Sequence, residues 1–211
     1  LLCKTKYFEE IRIMDEKTAI DELQFIKKVI EDSRKSITYN GMDYIFWGII
    51  VIVGMLIQYF ALLRHNYFNF FWIWAVLIPI GWVFSFYNAR SKKEKLPRTF
   101  SGRIISAVWG ATGIGMTLLG FIGTMSGGIN GEFVSPILSV VLGTGYYITG
   151  KIVEAKWVSN IAFCWWIGGI VMFYYHGVHS ILIMALMMLF FQTVPGVIIY
   201  RKYKKEQEAK S

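Results

Sequence analysis

Long apolar stretches without a charged or histidine side chain alternate with short polar ones along this chain. The stretches are residues 44–63, 70–87, 104–125, 133–150, 157–175 and 180–200. A hydrocarbon layer about 30 Å thick needs about 20 apolar residues of helix to cross it, and all six meet or approach that length. Pro136 blurs the start of the fourth. Membrane barrel strands need about 10 residues of alternating polarity, and runs such as Ile49-Ile50-Val51-Ile52-Val53 exclude them. The pattern predicts an all-α fold, a polytopic membrane bundle of six transmembrane helices.

Ahead of the first span the period changes. Between Asp15 and about Ile37, the side chains Leu23, Ile26, Ile30 and Ile37 recur on one helical face, and Thr18 and Asp21 suit a first turn. This predicts a cytoplasmic amphipathic helix that lies on the membrane surface, or one that docks a partner or a second copy. Tyr39-Asn40-Gly41 breaks it. The expected organisation is an N-terminal segment over 1–42, a transmembrane domain over 43–200 and a basic tail over 201–211. Met14-Asp15-Glu16-Lys17 reads as a natural start, so residues 1–13 are expected to be upstream sequence.

The chain has 211 residues, 55% of them hydrophobic, and a formal net charge of +8. The placement of that charge matters more than its total. Of the 22 Lys and Arg, every one except Arg64 lies before the first span, between the second and third, between the fourth and fifth, or after the sixth. Positive loops stay cytoplasmic, so both termini are expected in the cytoplasm. A basic cytoplasmic face attracts anionic headgroups, which makes the lipid bilayer the expected partner of this charge. No nucleic-acid reading motif accompanies it, so nucleic acid is not expected. Cys3 and Cys164 fall in the leading segment and the fifth span, and no disulfide framework follows.

Trp47-Gly48, Trp109-Gly110 and Trp166-Ile167-Gly168 each open an outward-going span, and each returning span ends in glycine, aromatics and basic charge. Three repeated helical hairpins are the expectation from that recurrence. In the third span, Ser106, Gly110, Gly113, Thr117 and Gly120 form one stripe of small residues, which lets helix backbones approach closely. Ser139 and Gly143 offer a counterpart in the fourth span. Gly110 to Gly115 mimics a phosphate loop, but no strand precedes it and the segment lies within a span. Pro79 and Pro195 free backbone carbonyls inside the second and sixth spans.

Candidate chemistry is sparse. Ion-coupled transport, proton pumping and voltage sensing need charged groups within the membrane, and the six spans contain none. Gln58, Asn160 and Gln192 are their strongly polar side chains, suited to interhelical hydrogen bonds or to a pocket for a neutral ligand. His65, His176 and His179 fall on the outer side in this topology, with Glu132. Three imidazoles and a carboxylate are a candidate zinc set. Ser135 and Ser180 lack the elbow and acidic partner of a hydrolase. No catalytic residue and no cofactor is expected.

Further likeness lies in three motifs: Tyr44-Ile-Phe-Trp47-Gly48, Leu142-Gly143-Thr-Gly145-Tyr-Tyr-Ile-Thr149-Gly150-Lys151, and Met184-Ala-Leu-Met-Met-Leu189 leading to Val194-Pro195-Gly196. With the basic amphipathic leader, these resemble a family of small, uncharacterised six-helix bacterial inner-membrane proteins over about 22–205. The resemblance implies a fold but no activity and no site residues. The chain is formally similar to the substrate-binding subunits of vitamin-uptake transporters, also six-helix proteins with cytoplasmic ends, though its first span lacks their Ala-x-x-x-Ala pattern. The expected function is that of a non-enzymatic accessory, sensory or regulatory subunit acting through a protein partner or homo-oligomer. The alternative is a transporter or binding subunit for a small neutral or aromatic-stacking solute held among Gln58, Asn160, Gln192 and the tryptophans.

The charge pattern makes a direct prediction. Single cysteines at Asn66, Asn130 and Gly177 are expected to react with an impermeant thiol reagent added to intact cells, and those at Ser91 and Ala155 are not. Labelling at Ser91 from outside would refute the topology.

Overall fold

The computed structural model describes residues 20–27, 41–64, 70–95 and 100–208. Among them are six helices long and apolar enough to cross a membrane, and no strand. In chain order these are α1 (Gly41–Leu63), α2 (Phe71–Lys95), α3 (Phe100–Met125), α4 (Gly131–Ile152), α5 (Lys156–Tyr174) and α6 (Val178–Arg201), the last continuing as helix to Glu208. The chain is a multi-pass helical membrane protein, as the apolar stretches require. Residues 20–27 are also helical and wholly exposed, with Ile20, Leu23 and Ile26 among them. The rest of the expected amphipathic helix, and residues 1–13, lie outside the described residues.

The helices are not equally buried. Half of the apolar stretch of α4 and 44% of that of α6 are enclosed, against 6% in both α2 and α3. The interior is therefore built on α4 and α6, with α5 and α1 laid against them and α2 and α3 at the periphery. Trp165, Met172, Met184, Val153 and Ile105 form its most enclosed part.

The tightest pairing joins α4 and α5 along small residues. The Ser139 hydroxyl donates to the Trp165 carbonyl at 2.6 Å, and Trp166 Nε1 donates to the Val140 carbonyl at 3.2 Å. A Cβ on Gly143 would lie 3.1 Å from the Ala162 carbonyl oxygen, and one on Gly150 would lie 2.6 Å from the Ser159 backbone nitrogen. The sequence suggests Ser139 and Gly143 as the counterpart of the α3 stripe, whereas they face α5. The link between these helices explains the preference: Val153, Glu154 and Ala155 alone separate them, Glu154 sits at φ 52°, and Ala155 N donates to Gly150 O at 3.0 Å. So short a turn holds the last residues of α4 against the first residues of α5. The α3 helix meets α4 elsewhere, where a Cβ on Gly145 would lie 3.2 Å from Thr112 Oγ1.

The α1–α6 pairing uses the same device at the ends carrying Gly41 and Tyr200. A Cβ on Gly196 would lie 3.0 Å from the Ile45 nitrogen, and one on Gly41 would lie 2.8 Å from the Tyr200 nitrogen. Gly48 fits beneath the Thr193 side chain. The α1–α2 pair interlocks through indoles instead. Trp47 lies over Gly81 and donates to Ser85 Oγ at 2.8 Å, while Trp74 packs on Gly54 and donates to Gln58 Oε1 at 3.2 Å. Phe46 stacks on Phe84 at 3.6 Å, and Asn88 Nδ2 donates to Asp43 Oδ1 at 2.7 Å. The Trp-Gly openings of α1, α3 and α5 thus have different neighbours: Trp47 covers α2, Trp166 covers Gly143 of α4, and Trp109 meets Tyr44 and Tyr146. These contacts do not support the expected hairpin repeat.

Two spans widen locally into π-helix, over Leu118–Ile122 in α3 and Met188–Thr193 in α6. The second ends just before Pro195, whose missing N–H disrupts the regular ladder. There the Thr193 hydroxyl donates to the Met188 carbonyl at 3.1 Å, which helps to satisfy backbone that hydrocarbon cannot solvate.

These contacts rank the glycines. Gly196→Ala and Gly150→Ala, which push a methyl against backbone, are expected to lower stability by about 1–3 kcal/mol. Gly120→Ala, where a Cβ meets nothing within 4 Å, is expected to be neutral or to stabilise by up to about 1 kcal/mol. Thermal unfolding of the three variants in one mild detergent checks the order, and equal midpoints would contradict it.

Candidate functional site

Gln192 occupies the widened turn of α6 and is 5% exposed. The Tyr146 hydroxyl of α4 donates a short hydrogen bond to its Oε1. Around this pair stand Tyr44 of α1, Trp109 of α3, and Trp165 of α5, with Phe191 beside Gln192 itself. Ring centroids lie 5.4 Å apart for Tyr44–Trp109, 5.2 Å for Trp109–Tyr146 and 6.3 Å for both Tyr146–Trp165 and Trp165–Phe191. The first two pairs are edge-to-face, the arrangement that ring quadrupoles favour. Five of the six spans thus contribute to one polar contact wrapped in aromatic rings.

The local sequence explains the placement. A π turn adds a residue to the helical repeat, which re-aims the side chains that follow. It sets Gln192 and Thr193 on the enclosed side of α6, both buried. Gly48 on α1 leaves room for Thr193, and Gly145 lets α3 come close enough for Trp109 to reach Tyr146. Among the described residues, the Trp165 Nε1–H is enclosed without a hydrogen-bond partner. As packed, the rings touch one another, and the cluster is a filled node that ties helices together.

The three polar side chains expected to line a pocket are not brought together. Gln58 takes its hydrogen bond from Trp74 of α2, Gln192 takes its own from Tyr146 of α4, and Asn160 is exposed on α5. The sequence singled out both glutamines and, as a class, the tryptophans, but gave no reason to choose Tyr44 and Tyr146. The available signal was Trp165, midway along its span and away from the interfacial belts that tryptophan and tyrosine usually occupy; Tyr44 begins its apolar stretch and carried no such signal.

The α3 stripe is arranged differently from a close backbone seam. A Cβ on Gly110 or Gly120 would meet nothing within 4 Å, and one on Gly113 would touch only the Trp82 ring at 3.1 Å. Ser106 is exposed, and Thr117 receives Trp82 Nε1–H at 3.4 Å while donating to Gly113 O at 2.8 Å. A Cβ on Gly54, by contrast, would lie 2.9 Å from both the Trp74 ring and the Leu77 side chain.

Of the candidate zinc ligands, His65 lies outside the described residues. His176 Nε2 stands 3.8 Å from Glu132 Oε2, both about half exposed, and its ring lies 5.4 Å from that of Phe133. His179 is exposed. Among the described residues no three His, Cys, Asp or Glu side chains come together in a way that could hold a metal. The Glu132–His176 contact links the start of α4 to the α5–α6 loop. Comparison of the chain with family models, with characterised proteins and with solved structures finds no match in any of the three.

The node makes a quantitative prediction. Tyr146→Phe strips the donor from a buried amide, and Gln192→Leu strips the acceptor from a buried phenol. Each is expected to cost about 1–3 kcal/mol. The double variant is expected to lose less than the sum, by a coupling of about 1 kcal/mol. Denaturant unfolding in mixed micelles measures the cycle, and strict additivity would mean the hydrogen bond contributes nothing.

Proposed function

We propose that this is a multi-pass inner-membrane protein without chemistry of its own, an accessory, sensory or regulatory subunit that works bound to another membrane protein. The observation that supports this is the contrast between the enclosed helices and the two peripheral ones. Along α2, Trp72, Val76, Ile80, Val83 and Tyr87 form one outward stripe, and along α3, Ile104, Ile114, Leu118, Ile122 and Met125 lie outward. The α2 helix is held to α1 by the Trp47 and Trp74 interlocks and to α3 by Trp82 and the Phe71–Phe121 contact at 5.4 Å, and α3 is held to α4 chiefly by Trp109 and Thr112. Two apolar helices so loosely enclosed suit contact with another membrane-embedded surface. The charge pattern supports an orientation with both termini on the basic, cytoplasmic side, and the resemblance to small bacterial inner-membrane proteins agrees with that placement.

Photo-crosslinking groups at Val83 and Ile114 are expected to capture one protein in near-stoichiometric yield from native membranes, and a group at Ile148 on α4 is expected not to. Purification in mild detergent should retain that same protein. Capture of lipid alone at all three positions would defeat the reading. A small molecule retained in its place would support solute binding.

A further inference from the structure

One face of α1 turns away from the rest of the bundle. Val53, Ile57 and Phe60 are 43%, 49% and 56% exposed, and with Leu56, Ala61 and Arg64 they line an open groove of about 470 Å³. Arg64 N donates to Phe60 O at 3.2 Å, so the helical path continues to the arginine. At 1.5 Å per residue the groove from Val53 to Arg64 runs roughly 16 Å along the axis, about half of a 30 Å hydrocarbon layer. It is apolar along its length and cationic at one end.

That cation stands alone. Arg64 is the one Lys or Arg of the chain outside the basic segments, and it has no ion-pair partner among the described residues. We propose that the groove seats a glycerophospholipid of the leaflet opposite the basic face, one acyl chain lying along Val53, Ile57 and Phe60 and the phosphodiester held by the Arg64 guanidinium. Leaflet depth, apolar lining and terminal charge all match that one molecule. The planar guanidinium fork suits two phosphate oxygens at once. A second copy of the chain suits the face poorly. Copies related by a two-fold axis along the membrane normal would bring one Arg64 to the depth of the other, and like charges across an interface repel. This site is independent of the partner surface on α2 and α3.

The test uses the full chain in vesicles of phosphatidylglycerol containing a small fraction of diacylglycerol with the same acyl chains. A benzophenone side chain replaces Ile57, and the lipid adducts are identified by mass spectrometry. After correction for abundance, the phosphate-bearing lipid is expected to be captured about five-fold in preference, the effect of roughly 1 kcal/mol for a basic side chain at an anionic surface. Arg64→Gln is expected to abolish the preference at Ile57, and Arg64→Lys to retain most of it. A benzophenone at Ile170, exposed on α5, is expected to give a ratio that neither Arg64 substitution changes. The same ratio at Ile57 with Arg64 intact and after Arg64→Gln overturns the proposal. So does an Ile57 crosslink between two copies, which would assign the groove to self-association.

Discussion

Hydrocarbon offers no water to a polar group and no hydrophobic reward for bringing helices together, so a membrane bundle depends on close packing and on hydrogen bonds made within the protein. Here both needs are met by one recurring arrangement. A large ring on one helix covers a glycine on its neighbour, and the ring N–H donates to an oxygen on that neighbour. Trp47 does this over Gly81 with Ser85, Trp82 over Gly113 with Thr117, and Trp166 over Gly143 with the Val140 carbonyl. The glycine lets the ring approach, and the approach gives the indole its acceptor. A larger side chain at the glycine would remove both at once.

The arrangement also accounts for the unequal burial of the helices. Where the contact is backbone to backbone, as at Gly150 against Ser159 and Gly196 against Ile45, neither side can yield and the pairing is rigid. These contacts hold α4 to α5 and α6 to α1. Where the contact is a ring on a glycine, as between α1 and α2 or α2 and α3, a rotamer change can loosen it. The four-helix interior thus adds backbone-to-backbone contacts to a ring contact of its own, Trp166 over Gly143, whereas α2 is held through rings on glycines.

The number and limits of the spans were legible in the sequence because charge is excluded from hydrocarbon, and that exclusion acts on each residue separately. Contacts were less legible because helical periodicity gives a face and not its neighbour. The stripe of Gly110, Gly113 and Gly120 reads like a close seam, yet two of its glycines face open space, while Gly41 and Gly196 make closer contacts without belonging to any stripe. Gln58, Asn160 and Gln192 are equivalent as polar residues in apolar runs. Their different surroundings follow from pairings 16 and 46 residues distant for the two glutamines, and from an outward position for Asn160. The turn of α6 that buries Gln192 depends on Thr193 and Pro195 acting together, a combination that no propensity scale contains.

The placement of Gln192 bears on what the interior can do. A buried amide bonded to a phenol and enclosed by touching rings resembles the beginning of a binding site, and its residue types suit stacking with a neutral aromatic solute. Yet the Tyr44, Trp109 and Tyr146 rings lie in contact, so a ligand could enter only by driving α3 away from α4. The contacts of α3 with that core include Trp109 itself, Thr112 against Gly145, the enclosed Ile105 and the partly buried Met116. The node therefore serves as the register that fixes α3 on α4. The outer surfaces are of another kind: the exposed faces of α1, α2 and α3 present apolar side chains and, at one end of α1, Arg64.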